Sequence, residues 1–187
     1  MHLRVYRPVT KARRLSSVQD FSDITTNDPE KSLIVIRKDQ AGRTNGKITV
    51  RHRGGGVKRY IRLVDFKRVR FDIPATVTTV EYDPNRGARI ALITYKDGVK
   101  SYILLPDGVK VGEELVSSRT EAEIKPGNRL PLEKIPVGAF IHAVELSPLQ
   151  GAKLSRGGGT SIQLMAIGSG WATIKMRSCE VRRVPKT

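Results

Sequence analysis

The amino-acid sequence predicts an all-β protein built from two small units of short strands. Apolar residues recur with a period of two, and no window of helical length carries a 3.6-residue apolar stripe. Turn-forming pairs such as Asp97-Gly98, which accept positive φ angles, separate the apolar runs. The segment 124–136 contains prolines and a glycine, so it cannot continue a sheet interior and divides the runs into two groups.

The elements follow in order from the same signals. Residues 1–44 are predicted to form an extended basic arm, because residues 1–40 lack a clear period. The first unit covers residues 45–120 and the second covers residues 125–187. Gly168-Ser169-Gly170 is predicted to turn the chain inside the second unit. Strands are predicted at 33–37, 47–52, 60–66, 75–82, 88–95 and 99–105, and then at 139–146, 161–167, 171–178 and 180–184.

Two strands show which faces they bury. Residues 89–95 are apolar at nearly every position, which is typical of a strand covered on both sides. The strand at 171–178 alternates instead. Its inner face is apolar and its outer face is basic, with Ala172, Ile174 and Met176 on the first and Trp171, Thr173, Lys175 and Arg177 on the second.

The charge of the chain indicates a polyanionic partner. The sequence has 34 Lys and Arg residues against 18 Asp and Glu, a formal net charge of +16. The stretch 43–70 is the most basic, and its one acidic residue is Asp65. These cations are interleaved with strand-like hydrophobic residues, so a nucleic acid is favoured over a membrane surface, which would require a basic amphipathic helix or a spanning run.

Two triple-glycine loops and one turn carry the candidate contacts. Gly54-Gly55-Gly56 departs from the phosphate-loop spacing and lacks a following helix, so a loop lying on an RNA backbone is preferred to a nucleotide site. Gly157-Gly158-Gly159 forms a second glycine-rich basic segment. For this segment an ordinary surface loop and an RNA-contacting loop are equally supported interpretations. The Asp83-Pro84-Asn85 turn presents Arg86. The cations that flank the two glycine loops are Arg51, His52, Arg53, Lys58 and Arg59 for the first, and Lys153 and Arg156 for the second.

Nothing in the sequence calls for catalysis, a cofactor or a metal. The single cysteine, Cys179, cannot form an internal disulfide or a cysteine-rich zinc site, and it suggests a reducing compartment. The histidines His2, His52 and His142 lack metal-ligand spacing, and His142 is predicted to lie in or near the core. The arm gathers acidic residues, but no spacing picks out a metal pair among Asp20, Asp23, Asp28 and Glu30.

The first nineteen residues contain five Lys or Arg and no acid, as a mitochondrial presequence would. Pro8 interrupts any early helix, however, and no apolar region suits secretion. We therefore prefer an RNA-contacting arm to a cleaved targeting segment.

Several motifs in order resemble one known family. The runs GRTNGKITVRHRGGGVKRYIRLVDFKR, IPATVTTVEYDPNRGARIALITYKDG, IKPGNRLPLEKIPVG and KLSRGGGTSIQLMA are similar to the bacterial-type large-subunit ribosomal protein L-two family, over about residues 42–184. The resemblance implies an OB-fold barrel followed by an SH3-like barrel, both binding large-subunit ribosomal RNA, with an N-terminal arm that enters the RNA. It also implies a ribonucleoprotein component that supports subunit assembly and translation near the peptidyl-transferase region.

The resemblance places Arg86 and Arg156 on arginines that the family uses to hold its RNA. Neighbouring ribosomal proteins are implied as further partners, and the expected location is the cytoplasmic ribosome, with an organellar ribosome as the alternative. The complete set of predicted RNA-contacting residues is Arg43, Asn45, Arg51, His52, Arg53, Gly54, Gly55, Gly56, Lys58, Arg59, Lys67, Arg68, Arg86, Lys153, Arg156, Lys175 and Arg177.

Two departures from the family pattern are visible. Cys179 stands where the family commonly has glycine, and cysteine lacks the backbone freedom of glycine. The family also continues into a long glycine- and histidine-rich extension, whereas this sequence stops at Thr187. No role in the catalytic centre is therefore predicted, and a separate polypeptide carrying that extension is one candidate partner.

Two other classes of function stay open at this point. One is a free RNA-binding translation or transcription factor with similar barrels, which would not co-sediment with large subunits. The other is an enzyme acting on nucleic acid, which would need paired carboxylates near the basic surface.

Overall fold

The computed structural model describes residues 3–37 and 41–187; His2 lies outside this range. These residues form short β-strands and two 3-10 turns, at Lys31–Leu33 and Leu132–Lys134. The strands, in chain order, are β1 Leu3–Val5, β2 Ser17–Gln19, β3 Ile34–Ile36, β4 Arg43–Thr44, β5 Lys47–Ile48, β6 Tyr60–Arg62, β7 Ala75–Glu81, β8 Ile90–Tyr95, β9 Lys100–Leu104, β10 Glu114–Leu115, β11 Phe140–Ile141, β12 Val144–Glu145, β13 Ala152–Leu154, β14 Ile162–Ile167, β15 Trp171–Lys175 and β16 Val181–Pro185.

The first half of the chain curls around strand β8. An antiparallel sheet runs in the order β10-β7-β8-β9, and the β3-β6 pair is linked to it by a bridge between Val64 and Tyr102. Val77, Ile93 and Leu115 pack on one side of β8, and Ile90, Leu92 and Tyr102 pack on the other. The prediction that this strand is covered on both faces is confirmed.

The second half forms a separate apolar core under another antiparallel sheet. This sheet runs in the order β11-β14-β15-β16, and the β12-β13 pair accompanies it. Leu164, Ala172 and Ile174 are fully buried beneath it, while Trp171 and Lys175 face outward. The predicted division of this strand into an apolar and a basic face is confirmed. The curled sheets of the two halves fit an OB-fold barrel followed by an SH3-like barrel, which confirms the predicted fold class.

Two predicted turns form as expected. Gly98 adopts φ 82°, and the amide of Tyr95 donates to the carbonyl of Val99, which closes the hairpin between β8 and β9. Gly168 donates its amide to Trp171 between β14 and β15. Cys179 itself adopts φ 67° and donates its amide to Met176, so the last hairpin closes with cysteine in a conformation that favours glycine.

Some predicted strands are wrong in extent. The strand at 47–52 shrinks to Lys47–Ile48, and the strand at 60–66 ends at Arg62. Ala143 adopts φ 51° and splits the strand at 139–146 into β11 and β12. Within the predicted arm, Leu3–Val5 and Ser17–Gln19 pair as an antiparallel hairpin.

The two halves of the chain contact each other closely. The amide of Ala152 donates to the carbonyl of Phe66 at 3.0 Å, and Nη1 of Arg68 donates to the carbonyl of Gly127 at 2.7 Å. Gly127 has φ 94°, and a Cβ there would lie 2.6 Å from a methyl group of Leu115. The segment predicted as a linker is therefore packed against the first sheet.

The N-terminal segment is attached to the first barrel through Arg89. This side chain is almost completely buried, donates from Nε to Asp23 at 2.9 Å and from Nη2 to the carbonyl of Asp20 at 2.9 Å. Its guanidinium also lies against the rings of Phe21 and Tyr82, at 5.0 and 5.7 Å from their centroids. One buried arginine thus holds the residues that precede β3 in place.

This attachment should weaken in acid. The hydrogen bonds from Arg89 hold the pKa of Asp23 below its ordinary value of 3.8. A carboxylate with a lowered pKa contributes stability above its unfolded-state pKa and loses it as pH falls through the folded-state pKa. We expect the protection of the Thr25 amide, which donates to Val80, against hydrogen exchange to fall selectively below about pH 4, after the intrinsic pH dependence of exchange is divided out. Asp23→Asn should show the low protection already at pH 7, and a protection factor that neither change lowers would contradict the assignment.

Candidate RNA-contact site

A buried carboxylate shapes the turn that carries Arg86. Asp83 is fully buried, and its side chain accepts from the amide of Asn85 at 2.8 Å and from Nε of Arg86 at 2.6 Å. Asn85 also donates from its side chain to the carbonyl of Tyr60 at 2.8 Å. Because Asp83 occupies only Nε, both terminal amino groups of Arg86 have no acceptor among the described residues and are left for a ligand.

Phe66 brings the two predicted arginines together. The guanidinium of Arg86 lies 5.7 Å from the centroid of the Phe66 ring, and that of Arg156 lies 5.0 Å from the same centroid. Arg156 is exposed and makes no hydrogen bond or ion pair within the described chain. One aromatic ring therefore holds a cation from each half of the protein at a single place, which we call the Phe66 junction (Phe66, Arg86 and Arg156).

The loops behind the junction touch through glycine. A Cβ on Gly158 would lie 2.7 Å from the carbonyl oxygen of Gly87 and 3.1 Å from its carbon, so only glycine allows this approach. Arg177 donates from Nη1 to the carbonyl of Gly159 at 2.9 Å and ties the loop to the hairpin between β15 and β16. The spacing of the two arginines is thus set by protein contacts before any ligand binds.

Gly158→Ala tests this pre-organisation. The added methyl must push the loops apart because it meets backbone atoms that cannot rotate away, so we expect weaker RNA binding with little loss of stability. Gly157→Ala is a matched control, since a Cβ there has its nearest neighbour, Thr160, at an ordinary 3.5 Å. Affinity for RNA, measured by filter binding, should fall for the first variant alone. Equal affinities would show that the loop contact does not position Arg156.

The long basic loop at 43–59 presents its cations outward. Every residue from Arg43 to Arg59 is exposed, including Arg51, Arg53 and Lys58. Lys58 lies 5.3 Å from the ring centroid of Tyr60. Positive φ angles occur at Asn45, Gly46, His52, Gly54, Gly55 and Gly56.

The remaining predicted residues are placed in different environments. Lys67, Lys153 and Lys175 are exposed. Arg68 points inward, and burial lowers its pKa. Its Nη1 donates to the carbonyl of Gly127. These residues lie in several places rather than one cluster, and their contact with RNA stays a prediction. Burial also lowers the pKa of half-buried His142, which agrees with its predicted position near the core.

Some candidate residues gave no signal in the sequence. The sequence predicts Phe66 at the end of a strand, and its part in the junction depends on contacts between distant segments. In the arm, the guanidinium carbons of Arg4 and Arg13 lie 6.0 and 5.5 Å from the ring centroid of Tyr6. Arg119 and Arg129 lie over Phe71 in the same way. Arginine flanking an aromatic ring is a recurrent arrangement here, but it pairs residues whose proximity no local pattern reveals.

Within residues 3–37 and 41–187, no three His, Cys, Asp or Glu side chains are grouped so that they could hold a metal ion. The same residues include no helix with the length and apolar character needed to cross a membrane.

Two curled β-barrels with exposed cations on their loops define the class of basic β-barrel proteins that bind nucleic acid. Two family models match the chain: Ribosomal Proteins L2, RNA binding N-terminal domain, over residues 30–117, and Ribosomal Proteins L2, C-terminal domain, over residues 125–187. The chain therefore belongs to the ribosomal protein L2 family. It is a structural, RNA-binding protein of the large ribosomal subunit, and its partners are ribosomal RNA and other ribosomal proteins.

Proposed function

We propose that this protein organises large-subunit ribosomal RNA near the peptidyl-transferase region and supports subunit assembly and translation as a scaffold, without catalysing a reaction. The Phe66 junction carries the proposal. It brings two guanidinium groups with unused donors, one from each barrel, against the same aromatic ring. Planar guanidinium groups suit bidentate contacts with phosphate.

In the proposed mechanism, two surfaces of the protein bind RNA in different ways. Arg86 and Arg156 would fix the register of the RNA backbone, because their spacing is determined by protein contacts. The loop at 43–59 would follow the shape of the RNA, since glycines admit the backbone closely and exposed cations meet phosphates. The predicted residues Arg43, Arg51, Arg53, Lys58 and Arg59 belong to this second surface.

Binding to large-subunit ribosomal RNA, compared with an equal mass of unrelated structured RNA across a salt series, tests the proposal. We expect a preference for ribosomal RNA that survives rising salt, because shape recognition adds to the salt-sensitive phosphate contacts. Equal binding that collapses with salt would overturn it. Co-sedimentation with large subunits at physiological salt separates the scaffold from a free regulatory factor, which would stay in the soluble pool.

The single cysteine allows the position in the subunit to be mapped. Cys179 is exposed and can carry a tethered iron chelate that cleaves nearby RNA by hydroxyl radicals. We expect cleavage in the RNA surrounding the peptidyl-transferase centre, and none with Cys179→Ser. Reproducible cleavage confined to a remote region would contradict the proposed location.

The cytoplasmic ribosome is the proposed compartment, with an organellar ribosome as the alternative. Immunodetection of the protein in purified cytoplasmic and organellar ribosomes distinguishes them. The non-catalytic role is tested separately: turnover of an RNA substrate that is lost on Asp23→Asn or Glu30→Gln would contradict it.

A further inference from the structure

The outer face of the sheet β11-β14-β15-β16 carries uncovered aromatic rings. Phe140 is 73% exposed and Trp171 is 57% exposed. Neither ring stacks on another ring or on a cation of the described residues. The inner face of the same sheet is fully occupied by the core of the second barrel.

Strand register places cations on the same face as these rings. Phe140 pairs with Gln163, Gln163 pairs with Lys175, and Lys175 pairs with Val181, so the four share one row and one face. Thr173 pairs with Arg183 in the next row, and Trp171 pairs with Pro185 beyond it. From strand spacing, Phe140 lies about 10 Å from Lys175, and Trp171 lies about 13 Å from Lys175 along β15.

The charge on this face is not neutralised. Lys175 and Arg183 are exposed, and within the described chain neither makes a hydrogen bond or an ion pair. The rows contain no carboxylate, and the nearby Glu180 is paired with Arg182 at 2.6 Å. A polyanion that also offers flat apolar faces would complement this surface.

We propose that this face is a stacking platform for unpaired RNA bases, with Trp171 and Phe140 receiving bases and Lys175 and Arg183 meeting the phosphates between them. Every base offers a flat π-face, and aromatic side chains interleaved with cations are the arrangement that binds single-stranded nucleic acid. The inference rests on the proposed function in that RNA is the ligand. It adds a surface whose chemistry differs from that of the Phe66 junction, since it reads unpaired bases.

Tryptophan fluorescence reports ligand binding at Trp171, because Trp171 is the only tryptophan in the chain. We expect single-stranded hexaadenylate to quench the tryptophan emission of the full chain, through contact between base and indole. An abasic ribose-phosphate hexamer of equal charge should leave the emission nearly unchanged. Equal effects of the two hexamers would overturn the platform, because charge alone would then explain the contact.

Substitutions of the two rings test whether stacking contributes to the affinity for RNA. Trp171→Ala and Phe140→Ala should each weaken hexaadenylate binding by roughly 5- to 150-fold, the equivalent of one stacked base. Trp171→Phe should retain most of the affinity because a flat ring remains. Val111→Ala, which removes an apolar side chain that is 46% exposed in the first half, is the control for loss of exposed apolar surface and should bind normally. Binding unchanged in both alanine variants would overturn the proposal.

The outcomes distinguish this inference from the proposed function. Normal preference for ribosomal RNA together with unaltered Trp171 emission would remove the platform and leave the scaffold standing. Loss of that preference, with hexaadenylate still quenching Trp171, would support the platform and remove the scaffold. Emission that responds only to a rising concentration of the protein itself would indicate a second copy on this face and would overturn the RNA platform.

Discussion

Arg86→Ala is expected to reduce both RNA affinity and stability. Its terminal amino groups are offered to RNA, so the log-log slope of affinity against salt should fall by about 0.7 to 0.9, the loss of one phosphate contact. Its Nε neutralises Asp83, which is fully buried, so the variant also leaves a carboxylate without its cation. We expect a destabilisation of about 3 kcal/mol, the lower end for a broken buried pair, since Asn85 still donates to Asp83.

Two further variants separate these effects. Arg156→Ala should also lower the salt slope by about 0.7 to 0.9 without changing the denaturation midpoint, because its exposed guanidinium makes no hydrogen bond or ion pair with the described residues and lies against Phe66. Asp83→Asn combined with Arg86→Ala removes the uncompensated charge, so stability should partly recover while affinity does not. Lys110→Ala is a control cation elsewhere on the surface. An Arg156→Ala variant with unchanged affinity and slope would remove the junction from the proposed RNA site.

Substitution of Tyr102 is expected to have the largest effect on folding. This side chain is completely buried in strand β9. Its hydroxyl donates to Glu81 at 2.8 Å and accepts the amide of Glu30 at 2.8 Å, and burial raises its pKa. Tyr102→Ala removes a large core side chain and both hydrogen bonds, so we expect a loss of at least about 4 kcal/mol in the free energy of unfolding.

Tyr102→Phe isolates the hydroxyl from the ring. It should cost about 2 kcal/mol, because the buried carboxylate of Glu81 loses a donor while the ring still packs. Urea denaturation of the three proteins measures both values. Equal losses for the two variants would show that the ring contributes little, contrary to its position among Ile90, Leu92 and Leu104.

The long strands could be predicted because their own residues carry the signal. Residues 90–95 are apolar at nearly every position, and residues 172 and 174 place small or apolar side chains on one face of their strand, so burial follows from the pattern. The residues at 47–52 also alternate, yet only Lys47–Ile48 pairs, and with the equally short Arg43–Thr44. A strand needs a neighbour, and no local pattern reports whether one is present.

The arm shows the converse case. Strands β1 and β2 pair across a long connection, but their apolar residues Leu3, Val5 and Val18 remain exposed. No alternation of buried and exposed residues therefore marks these strands in the sequence. The unit boundaries at 45–120 and 125–187 stay a prediction, although the two apolar cores lie in corresponding parts of the chain.

The candidate site was predictable only in pieces. Turn chemistry singled out Arg86, and a glycine-rich basic loop singled out Arg156, but seventy positions separate them. Their meeting depends on Phe66 and on the close approach of Gly158 to Gly87, which are tertiary contacts. Arg68 shows what charge alone does not reveal: this cation in the most basic stretch donates to the carbonyl of Gly127. Charge density identifies a basic surface more reliably than it identifies which of its cations are engaged in contacts within the protein.

The triple glycine at 54–56 has a thermodynamic consequence for RNA binding. A Cβ at Gly55 or Gly56 would meet no atom within 4 Å, so packing against the protein does not select the shape of this loop. Ordering it on RNA costs about 1 to 2 kcal/mol of backbone entropy per residue, which offsets part of what its cations contribute. The residues of the Phe66 junction are already ordered in the folded protein, so RNA binding does not incur this entropic cost there. Net affinity should therefore come mainly from the junction, whereas the glycine loop allows adaptation to RNA surfaces of different curvature.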